Sequence, residues 1–353
     1  PLVSGLHDQL DNDDEIHDLI IVGPKKNGAQ LEGSKAFAKK FMDKYSIPTA
    51  GYKSFSLNEY EDAINYLNTI HPPYVIKADG LAAGKGVFIC QEYNEAKRII
   101  EDIMLKSKFG QAGDRIVIEA FLDGVELSVF ILTDGINYKL LPSAKDYKRI
   151  GENDTGLNTG GMGAVSPVSF LDEKLLEKIK LKIIEPTLQG LQTEQIEYSG
   201  FIFFGLIKVN NEPYVIEYNV RLGDPETQTI MPRIESDFLE LLTNLNKPEK
   251  FKNKKISINQ HHATTVILTS KGYPEHYSTG HTVTGLNNIN KCNAFHAGLK
   301  NKNTDYVTSG GRVLAITALG SNLENSMINA YDNVKKIKFE NLYFRKDIGA
   351  DIK

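Results

Sequence analysis

The 353-residue chain has no tryptophan, only two cysteines and no long apolar run. Cys90 and Cys292 lie far apart, and neither belongs to a CxxC or other metal-ligand spacing, so we predict two reduced structural thiols. The longest nearly apolar stretch, residues 201–209, includes Lys208 and falls short of the roughly 20 helical residues that span a bilayer. No signal-like N-terminus is visible. We therefore expect a cytoplasmic protein without a membrane segment.

An excess of charge of one sign is also lacking. Lys and Arg total 41 against 45 Asp and Glu, which gives a net charge of −4 at pH 7. This balance does not predict an extended basic surface for nucleic acid or an anionic membrane. Any anionic ligand must therefore be bound by a local group of cationic residues. With 41% apolar residues, the chain can bury two or three compact cores, at roughly 100 to 200 residues per domain.

The first 24 residues predict one helix and one strand. Apolar side chains in residues 1–10 have helical spacing, and the run from Leu19 to Val22 predicts a buried strand that ends at Gly23. A lone strand has no ladder partner, and a unit of two elements has almost no core. We therefore interpret residues 1–24 as the remnant of an N-terminal α/β domain.

The middle of the chain predicts an α+β region with two antiparallel hairpins, at Asp134-Gly135 and Asn210-Asn211. Its predicted helices are 31–45, 60–67, 95–105, 173–192 and 238–245, and its predicted strands are 74–78, 87–90, 115–121, 126–133, 201–209 and 213–219. The polar, basic segment 246–255 lacks apolar periodicity and predicts a linker before a small α+β domain at 256–353.

A glycine-rich segment between two predicted strands runs from Lys77 to Gly86. Glycines let the main chain approach a polyphosphate, and Lys77 and Lys85 supply positive charge. The segment is not a Walker A loop, because only three residues separate Gly80 from Gly84 and a strand follows in place of a helix. Composition alone leaves a flexible hairpin loop as an equal alternative.

Polar side chains alternate along the predicted strand that precedes the Gly-Asp-Pro turn. Glu217, Asn219 and Arg221 project from one face, while the opposite face is apolar. Mg²⁺ takes hard oxygen ligands, usually one or two from protein and the rest from phosphates and water. Glu217 and Asn219 are therefore candidate metal ligands, with a solvated polar face as the alternative.

The stretch from 145 to 163 combines adjacent cations with many glycines and small polar residues. Lys148 and Arg149 are suited to neutralise a phosphate or clamp a carboxylate. Since ordering glycines costs conformational entropy, a substrate loop is favoured over a spacer. Adjacent His261 and His262 point to opposite faces of a strand and are interpreted as structural. A nucleophilic triad has no recognisable local context, so covalent catalysis by the protein is not expected.

Six motifs in order run along almost the whole chain: LEGSKAFAKKFM (31–42), IPTAGY (47–52), VIKADGLAAGKGV (75–87), KRIGENDTGLNTGGMGAVSP (148–167), IEYNVRLGDPETQ (216–228) and SGGRVLAITALG (309–320). Together with the ending YFRKDIGAD (343–351), they resemble the glycinamide ribonucleotide synthetase family of ATP-grasp ligases. The resemblance implies a multidomain α+β and α/β protein with an ATP-grasp module at 25–245, a subdomain inserted at about 51–120, and a C-terminal domain that completes the cleft.

The family's reaction follows from the resemblance. ATP phosphorylates glycine to glycyl phosphate, and the amine of 5-phosphoribosylamine attacks the acyl carbon to give glycinamide ribonucleotide, a step of purine biosynthesis. The resemblance implies ATP and Mg²⁺ or Mn²⁺ as cofactors and small molecules as the only partners. The balance of charge predicts no nucleic-acid or membrane partner, and a monomer is the default expectation.

Site residues are also implied by the matching motifs. Those at the nucleotide are Lys35, Lys77, Gly80, Gly84, Lys85 and Gly86 at the phosphates, Glu119, Phe121 and Leu122 at the adenine hinge, and Glu126 at the ribose. The metal ligands are Glu217 and Asn219. The catalytic residues are Arg221, Lys148, Arg149 and Asp146, and the substrate-binding residues are Asn158, Thr159, Gly160, Gly161, Gly223, Asp224, Pro225 and Glu226.

The sequence departs from the family pattern in three places. Ala120 stands where a second acid is common, and Tyr147 stands where a histidine is common, but neither removes a charge assigned to catalysis. The earlier strands of the family's first domain are missing before residue 1. Two alternatives stay open: an N-terminally truncated ATP-binding protein without full turnover, and another ATP-grasp carboxylate-amine ligase.

Overall fold

The computed structural model describes residues 1–11, 19–82 and 86–352. The helices in these ranges are α1 (Leu6–Asp11), α2 (Lys26–Gly33), α3 (Lys35–Lys44), α4 (Tyr60–Leu67), α5 (Tyr93–Met104), α6 (Glu173–Ile179), α7 (Glu185–Thr193), α8 (Glu226–Ile230), α9 (Phe238–Thr243), α10 (Pro248–Asn253) and α11 (Leu323–Val334). None of these helices is long and apolar enough to cross a membrane.

The strands in the same ranges are β1 (Tyr52–Ser56), β2 (Tyr74–Ala78), β3 (Val87–Cys90), β4 (Arg115–Ala120), β5 (Val125–Thr133), β6 (Tyr138–Leu140), β7 (Lys145–Asp146), β8 (Arg149–Gly151), β9 (Thr155–Asn158), β10 (Gly163–Ser166), β11 (Gly200–Val209), β12 (Glu212–Asn219), β13 (His262–Ser270), β14 (Thr282–Val283), β15 (Cys292–His296), β16 (Leu299–Lys302), β17 (Asp305–Thr308), β18 (Arg312–Gly320) and β19 (Leu342–Tyr343).

The first sheet is antiparallel in the order β1-β4-β2-β3, and helices α4 and α5 cover one of its faces. Ile76 and Ile118 pack with Ile100 of α5 in a fully buried core. Because side chains alternate along a strand, Lys77 of β2 points away from that core, and it is nevertheless buried. The sheet therefore presents a buried cation on the face opposite its helices.

The second sheet has the order β12-β11-β5-β6, and β11 pairs along its length with both β5 and β12. Its apolar face packs against α3 and the helical stretch from α6 to α7, which a π-helical turn at Lys180–Ile184 joins. Phe41, Ile183 and Phe204 are among the buried residues of this core. The sheet carries the polar residues of β12 toward the first sheet.

The third sheet crosses the predicted domain boundary. Its order is β15-β18-β13-β10-β7, with β19 paired to β13, so strands from both sides of residue 250 lie in one sheet. Helix α11 packs on β13 and β18 over a core that includes Val266, Leu314 and Ile316. The C-terminal strands are thus built onto β7 and β10, which flank the predicted substrate loop.

Two local predictions are wrong. Residues 19–22 form no strand, although the Gly23 N–H that follows them donates to the Ser199 carbonyl beside the start of β11. The helix predicted over 31–45 is two helices, since Ser34 leaves the helical conformation and its hydroxyl caps α3 by accepting a hydrogen bond from the Phe37 N–H.

The predicted linker contains helix α10, whose Phe251 is completely buried, so this connection packs against the fold.

Candidate active site

A buried lysine joins the first two sheets. The Lys77 Nζ lies 2.9 Å from Glu119 Oε1 within the first sheet and donates to the Ile216 carbonyl of β12 at 3.3 Å. Because Ile216 precedes the predicted metal ligand Glu217, this contact brings the polar end of β12 to the base of the glycine-rich loop. The cleft between the two sheets is the candidate site.

Glu119 is held between two lysines. Its other carboxylate oxygen lies 2.9 Å from the Nζ of Lys39, which also donates to the Thr49 hydroxyl at 2.7 Å. Burial opposes ionisation of Glu119, but Lys77 and Lys39 outweigh it and lower its pKa. Burial lowers the pKa of Lys39 to about 8. The Glu119 carboxylate is thus used within the protein, which leaves its main chain for any contact with an adenine.

Lys35 stands at the first turn of α3, beside the start of the glycine-rich loop. Asp79 joins the two, because its carboxylate accepts hydrogen bonds from the Ala36 N–H at 2.7 Å and the Ser34 hydroxyl at 3.0 Å. The Lys35 Nζ donates to the Gly80 carbonyl at 3.2 Å. Burial and the neighbouring Lys77 lower the pKa of Lys35. Two predicted phosphate contacts, Lys35 and Lys77, therefore lie together.

The described ends of the glycine-rich loop are pinned to the sheet. The Ala78 N–H donates to the Gly86 carbonyl at 2.8 Å, and the Gly80 N–H donates to the Ala112 carbonyl at 3.1 Å. A Cβ on Gly80 would lie 2.8 Å from the Ala112 Cα, so this close approach requires glycine. The predicted contacts Gly84 and Lys85 lie outside the described residues.

The predicted metal ligands lie next to each other at the end of β12. Asn219 Nδ2 and Glu217 Oε1 are 3.5 Å apart, and an Arg221 nitrogen donates to the Asn219 amide oxygen at 3.0 Å. Glu32 fixes this group, since it accepts from the Val220 N–H at 2.9 Å and from Arg221 at 3.0 Å. Glu32 was not singled out from the sequence, although it lies in the motif LEGSKAFAKKFM.

The donors at this place fit a divalent cation that arrives with a nucleotide. Glu217 offers a carboxylate and Asn219 an amide oxygen, both hard ligands. Across the described parts of the chain, no group of three or more His, Cys, Asp or Glu side chains is arranged to hold a metal. A site with two protein ligands suits Mg²⁺ or Mn²⁺ that completes its coordination with phosphate oxygens and water.

Lys148 lies between two acids at the other wall of the cleft. Its Nζ is 2.7 Å from Glu126 Oε2 and 3.9 Å from Asp146 Oδ2. Burial and the negative charges of Glu126 and Glu217 raise the pKa of Asp146. Burial opposes the charge of Lys148, but Asp146 and Glu126 outweigh it and raise the pKa of Lys148 well above its usual value. Lys148 therefore remains a cation.

The strands β8 and β9 form an exposed hairpin that bears Arg149 and Asn158. These two residues pair in register, and an Arg149 nitrogen donates to the Gly156 carbonyl at 2.8 Å. The Thr159 N–H donates to the Lys148 carbonyl at 2.8 Å, which ties the end of the hairpin to its beginning. The guanidinium of Arg149 is thus turned onto its own hairpin, apart from the ion pairs of Lys148.

The glycines after this hairpin meet the Gly-Asp-Pro turn. Gly161 has φ +106°, and a Cβ there would lie 2.3 Å from Pro225 Cδ, so only glycine fits. Arg312 of β18 contacts Gly160, Gly161 and Asp224 with one guanidinium. Arg312 is not among the site residues predicted from the sequence, although it lies in the motif SGGRVLAITALG.

Glu226 is buried beneath the same turn. The Ser128 hydroxyl donates to its Oε1 at 3.3 Å, and its carboxyl group packs closely against Gly223, where a Cβ would lie 2.4 Å from its Oε2. Burial and the nearby Asp146 raise the pKa of Glu226 to about 8. Phe121 and Leu122, the predicted adenine hinge, lie in the connection from β4 to β5, where Phe121 is exposed.

Comparison with known proteins defines the class first. A family model described as Phosphoribosylglycinamide synthetase, ATP-grasp (A) domain, matches residues 33–227, which include the first two sheets and the cleft. The fold is also similar to the biotin carboxylase domain of Hydrogenobacter thermophilus 2-oxoglutarate carboxylase, solved with Mg-ADP, with a TM-score of 0.69, 17% identity and coverage of 93% of this chain and 71% of that one. The chain is an ATP-grasp ligase, a class that uses ATP with a divalent metal.

The family follows from closer matches. A second model, Phosphoribosylglycinamide synthetase, C domain, matches residues 263–351. The phosphoribosylamine–glycine ligase of Fusobacterium nucleatum is 46% identical over 99% of this chain and 81% of its own length, and that of Clostridium acetobutylicum is 44% identical over 99% and 82%. The solved ligase of Thermotoga maritima has a TM-score of 0.84 and 36% identity over 92% of this chain and 81% of its own. This chain belongs to the phosphoribosylglycinamide synthetase family.

Proposed function

We propose that the chain joins glycine to 5-phosphoribosylamine at the expense of ATP, as its relatives' names describe. The terminal phosphoryl group of ATP passes to the glycine carboxylate, which gives glycyl phosphate and ADP. The amine then attacks the acyl carbon and expels phosphate. The observation that carries this proposal is the position of Lys77, which lies beside Lys35 and contacts the main chain next to Glu217.

The nucleotide side consists of residues that bind and orient phosphate. Lys35 and Lys77 supply positive charge in a buried setting, where electrostatic stabilisation of a phosphoryl group is strong. Gly80 and Gly86, with Gly84 and Lys85 between them, form the loop that excludes water from the reacting groups. The main chain from Glu119 to Leu122 receives the adenine, and Glu126 binds the ribose hydroxyls.

Glu217 and Asn219 hold the metal. A bound Mg²⁺ or Mn²⁺ supplies neutralisation of the charge that spreads over the phosphoryl oxygens. The contact from Arg221 keeps the Asn219 amide oxygen oriented, and Glu32 in turn keeps Arg221 in place. Glu32 and Arg221 therefore hold the Asn219 amide oxygen in position through their own hydrogen bonds.

The substrate side orients the two small molecules. Lys148 and Arg149 attract the phosphate of phosphoribosylamine, and Arg221 with Asp146 positions glycine against the nucleotide. The main chain of Asn158, Thr159, Gly160 and Gly161 and the turn Gly223-Asp224-Pro225-Glu226 complete the pocket. A step through an acyl phosphate needs positioning and charge neutralisation and no protein nucleophile, which agrees with the side chains present.

We extend the proposal to the organisation of the molecule. Residues 1–24 belong to an N-terminal α/β domain, 25–245 is the ATP-grasp module with the first sheet inserted at about 51–120, and 256–353 is the C-terminal domain after a packed connection. The protein acts as a cytoplasmic monomer on small molecules, without nucleic acid or membrane partners.

The test is phosphate release from Mg-ATP with glycine and freshly generated phosphoribosylamine, each omitted in turn. We expect release to require both substrates. Glu217→Gln should lower kcat/KM by on the order of 10² to 10³-fold, since it removes a ligand that neutralises charge in the transition state. Glu212→Gln is the matched control, because Glu212 lies on the same strand and pairs with Lys178 and Lys182 outside the cleft. Release that ignores glycine refutes the proposal.

A further inference from the structure

Arg312 is the residue through which the C-terminal sheet reaches the substrate side of the cleft. It begins β18, and its main chain is fixed there by pairing with Thr269 and by the Gly298 N–H, which donates to the Arg312 carbonyl at 2.8 Å. Its side chain is 19% exposed. The guanidinium therefore extends from a rigid strand toward two segments that have no regular structure of their own.

One guanidinium holds both of these segments. One terminal nitrogen donates to the Gly160 carbonyl at 2.5 Å and lies 3.3 Å from the Gly161 carbonyl and 3.4 Å from the Asp224 carbonyl. The other terminal nitrogen is bonded to the Asp224 carboxylate. The planar fork of arginine can serve several acceptors at once, whereas a lysine ammonium is a single point of charge.

A second residue of the C-terminal region completes the hold on Gly160. The Gly160 N–H donates to the Tyr273 hydroxyl at 2.9 Å, so both polar groups of this residue are bound by the C-terminal region. A Cβ on Gly160 would lie 3.1 Å from the Arg312 Cζ, which shows how closely the guanidinium packs on the loop. The C-terminal region therefore contributes directly to the orientation of the loop.

We propose that Arg312 is a positioning residue that fixes the Gly160-Gly161 loop and the Asp224 turn at one separation for substrate binding. The inference rests on the proposed function, which assigns both segments to glycine and phosphoribosylamine. Arg312 acts on the substrates through these two segments. Removal of the Arg312 side chain takes away the hydrogen bonds that link the two segments, and a displacement of about 1 Å can cost on the order of 100-fold in rate.

The kinetic test compares Arg312→Ala and Arg312→Lys with Lys335→Ala, which removes an exposed cation of the same region far from the loops. We expect Arg312→Ala to lower kcat/KM for glycine and phosphoribosylamine on the order of 100-fold, with the Kd of a non-hydrolysable ATP analogue changed less than about twofold. Arg312→Lys should have a thermal midpoint close to that of wild type but a low kcat/KM. Lysine keeps the positive charge opposite Asp224, but it lacks the planar fork that binds several acceptors. Lys335→Ala should match wild type.

A second measurement does not depend on turnover. Amide hydrogen exchange of the peptide 155–163 should be faster in Arg312→Ala and unchanged in Lys335→Ala. The inference fails if exchange is the same in both variants, if Arg312→Lys recovers full kcat/KM, or if analogue binding weakens as much as turnover. Absence of glycine-dependent release in the wild type would refute the proposed function alone, and the exchange experiment would still decide whether Arg312 holds the loops.

Discussion

Two buried carboxyl groups, one on each side of the cleft, have opposite pKa shifts. Glu119 and Glu226 are equally buried, each with 3% of its surface exposed. Burial opposes ionisation of both, but Lys77 and Lys39 reverse its effect at Glu119 and lower the pKa. Glu226 has a serine hydroxyl and the like charge of Asp146 nearby, and its pKa rises to about 8. Partners, rather than burial, decide which acid is charged.

The two sides of the cleft also differ in how they are built. The nucleotide side is built on the adjacent strands β2 and β4 and on helix α3, whose side chains form a network of charges, Lys39, Glu119 and Lys77. The substrate side is built from a loop and a turn, whose main-chain carbonyls are bound by Arg312. We infer that the first side depends on ion pairs for stability, while the second can lose a charge at little cost.

Removal of Lys39 should have the largest effect on stability. Lys39→Met leaves Glu119 buried with Lys77 as its remaining cation, and breaking a buried ion pair costs about 3 to 5 kcal/mol. We expect a loss of about 3 kcal/mol in the free energy of unfolding, measured by urea denaturation at pH 7. Lys39 is protonated at this pH, since burial lowers its pKa only to about 8.

Lys40→Met provides the matched control, because Lys40 is the next residue of α3 and is exposed. It should leave the urea midpoint unchanged, as surface substitutions usually do. Equal losses in the two variants would show that the buried network contributes nothing specific. A loss in Lys39→Met that disappears when Glu119→Gln is added would locate the whole effect in the Lys39–Glu119 pair.

Local sequence patterns predicted the elements of the first sheet well. The bounds of α4, β2 and β3 agree with the periodicities of residues 60–67, 74–78 and 87–90, because each element has its own apolar face. The strand predicted at 19–22 failed because a strand depends on a partner elsewhere in the chain. The break at Ser34 depends on one capping hydrogen bond within a continuous apolar pattern.

The site was predictable where residues of one motif act together. Glu217, Asn219 and Arg221 lie side by side because they alternate on one strand. Lys39 could have been found, since it follows Lys35 by one helical turn. Arg312 could not be assigned to the loop by spacing, because 152 residues separate it from Gly160 and the pairing of β18 with β13 and of β13 with β10 brings the regions together.

The raised pKa of Glu226 should make the free energy of unfolding depend on pH. The folded protein keeps a proton on Glu226 up to about pH 8, whereas the unfolded chain releases it above the usual pKa of 4.5. The unfolded state therefore binds fewer protons between about pH 5 and pH 8, and the free energy of unfolding falls as the pH rises. Glu226→Gln removes this dependence, so its free energy of unfolding should rise relative to that of wild type by on the order of 3 kcal/mol between pH 5 and pH 8.

The measurement is urea denaturation of both proteins at several pH values. Glu275→Gln, at an exposed position, is the control and should follow the wild type at every pH. If the difference between Glu226→Gln and wild type grew as the pH fell, Glu226 would be a charged, stabilised carboxylate like Glu119. The contrast between the two sides of the cleft would then be wrong.

Glu212 allows a second comparison with Glu119. Like Glu119 it has two lysine partners, but it lies at the surface. Its oxygens lie close to Lys178 and Lys182, and its side chain is 38% exposed. Water and salt screen such pairs, so exposed ion pairs contribute little to stability. We expect Glu212→Gln to leave the urea midpoint within experimental error of wild type, in low salt and in high salt. A loss comparable to that of Lys39→Met would mean that two lysines stabilise a carboxylate wherever it lies, and that burial of Glu119 adds nothing.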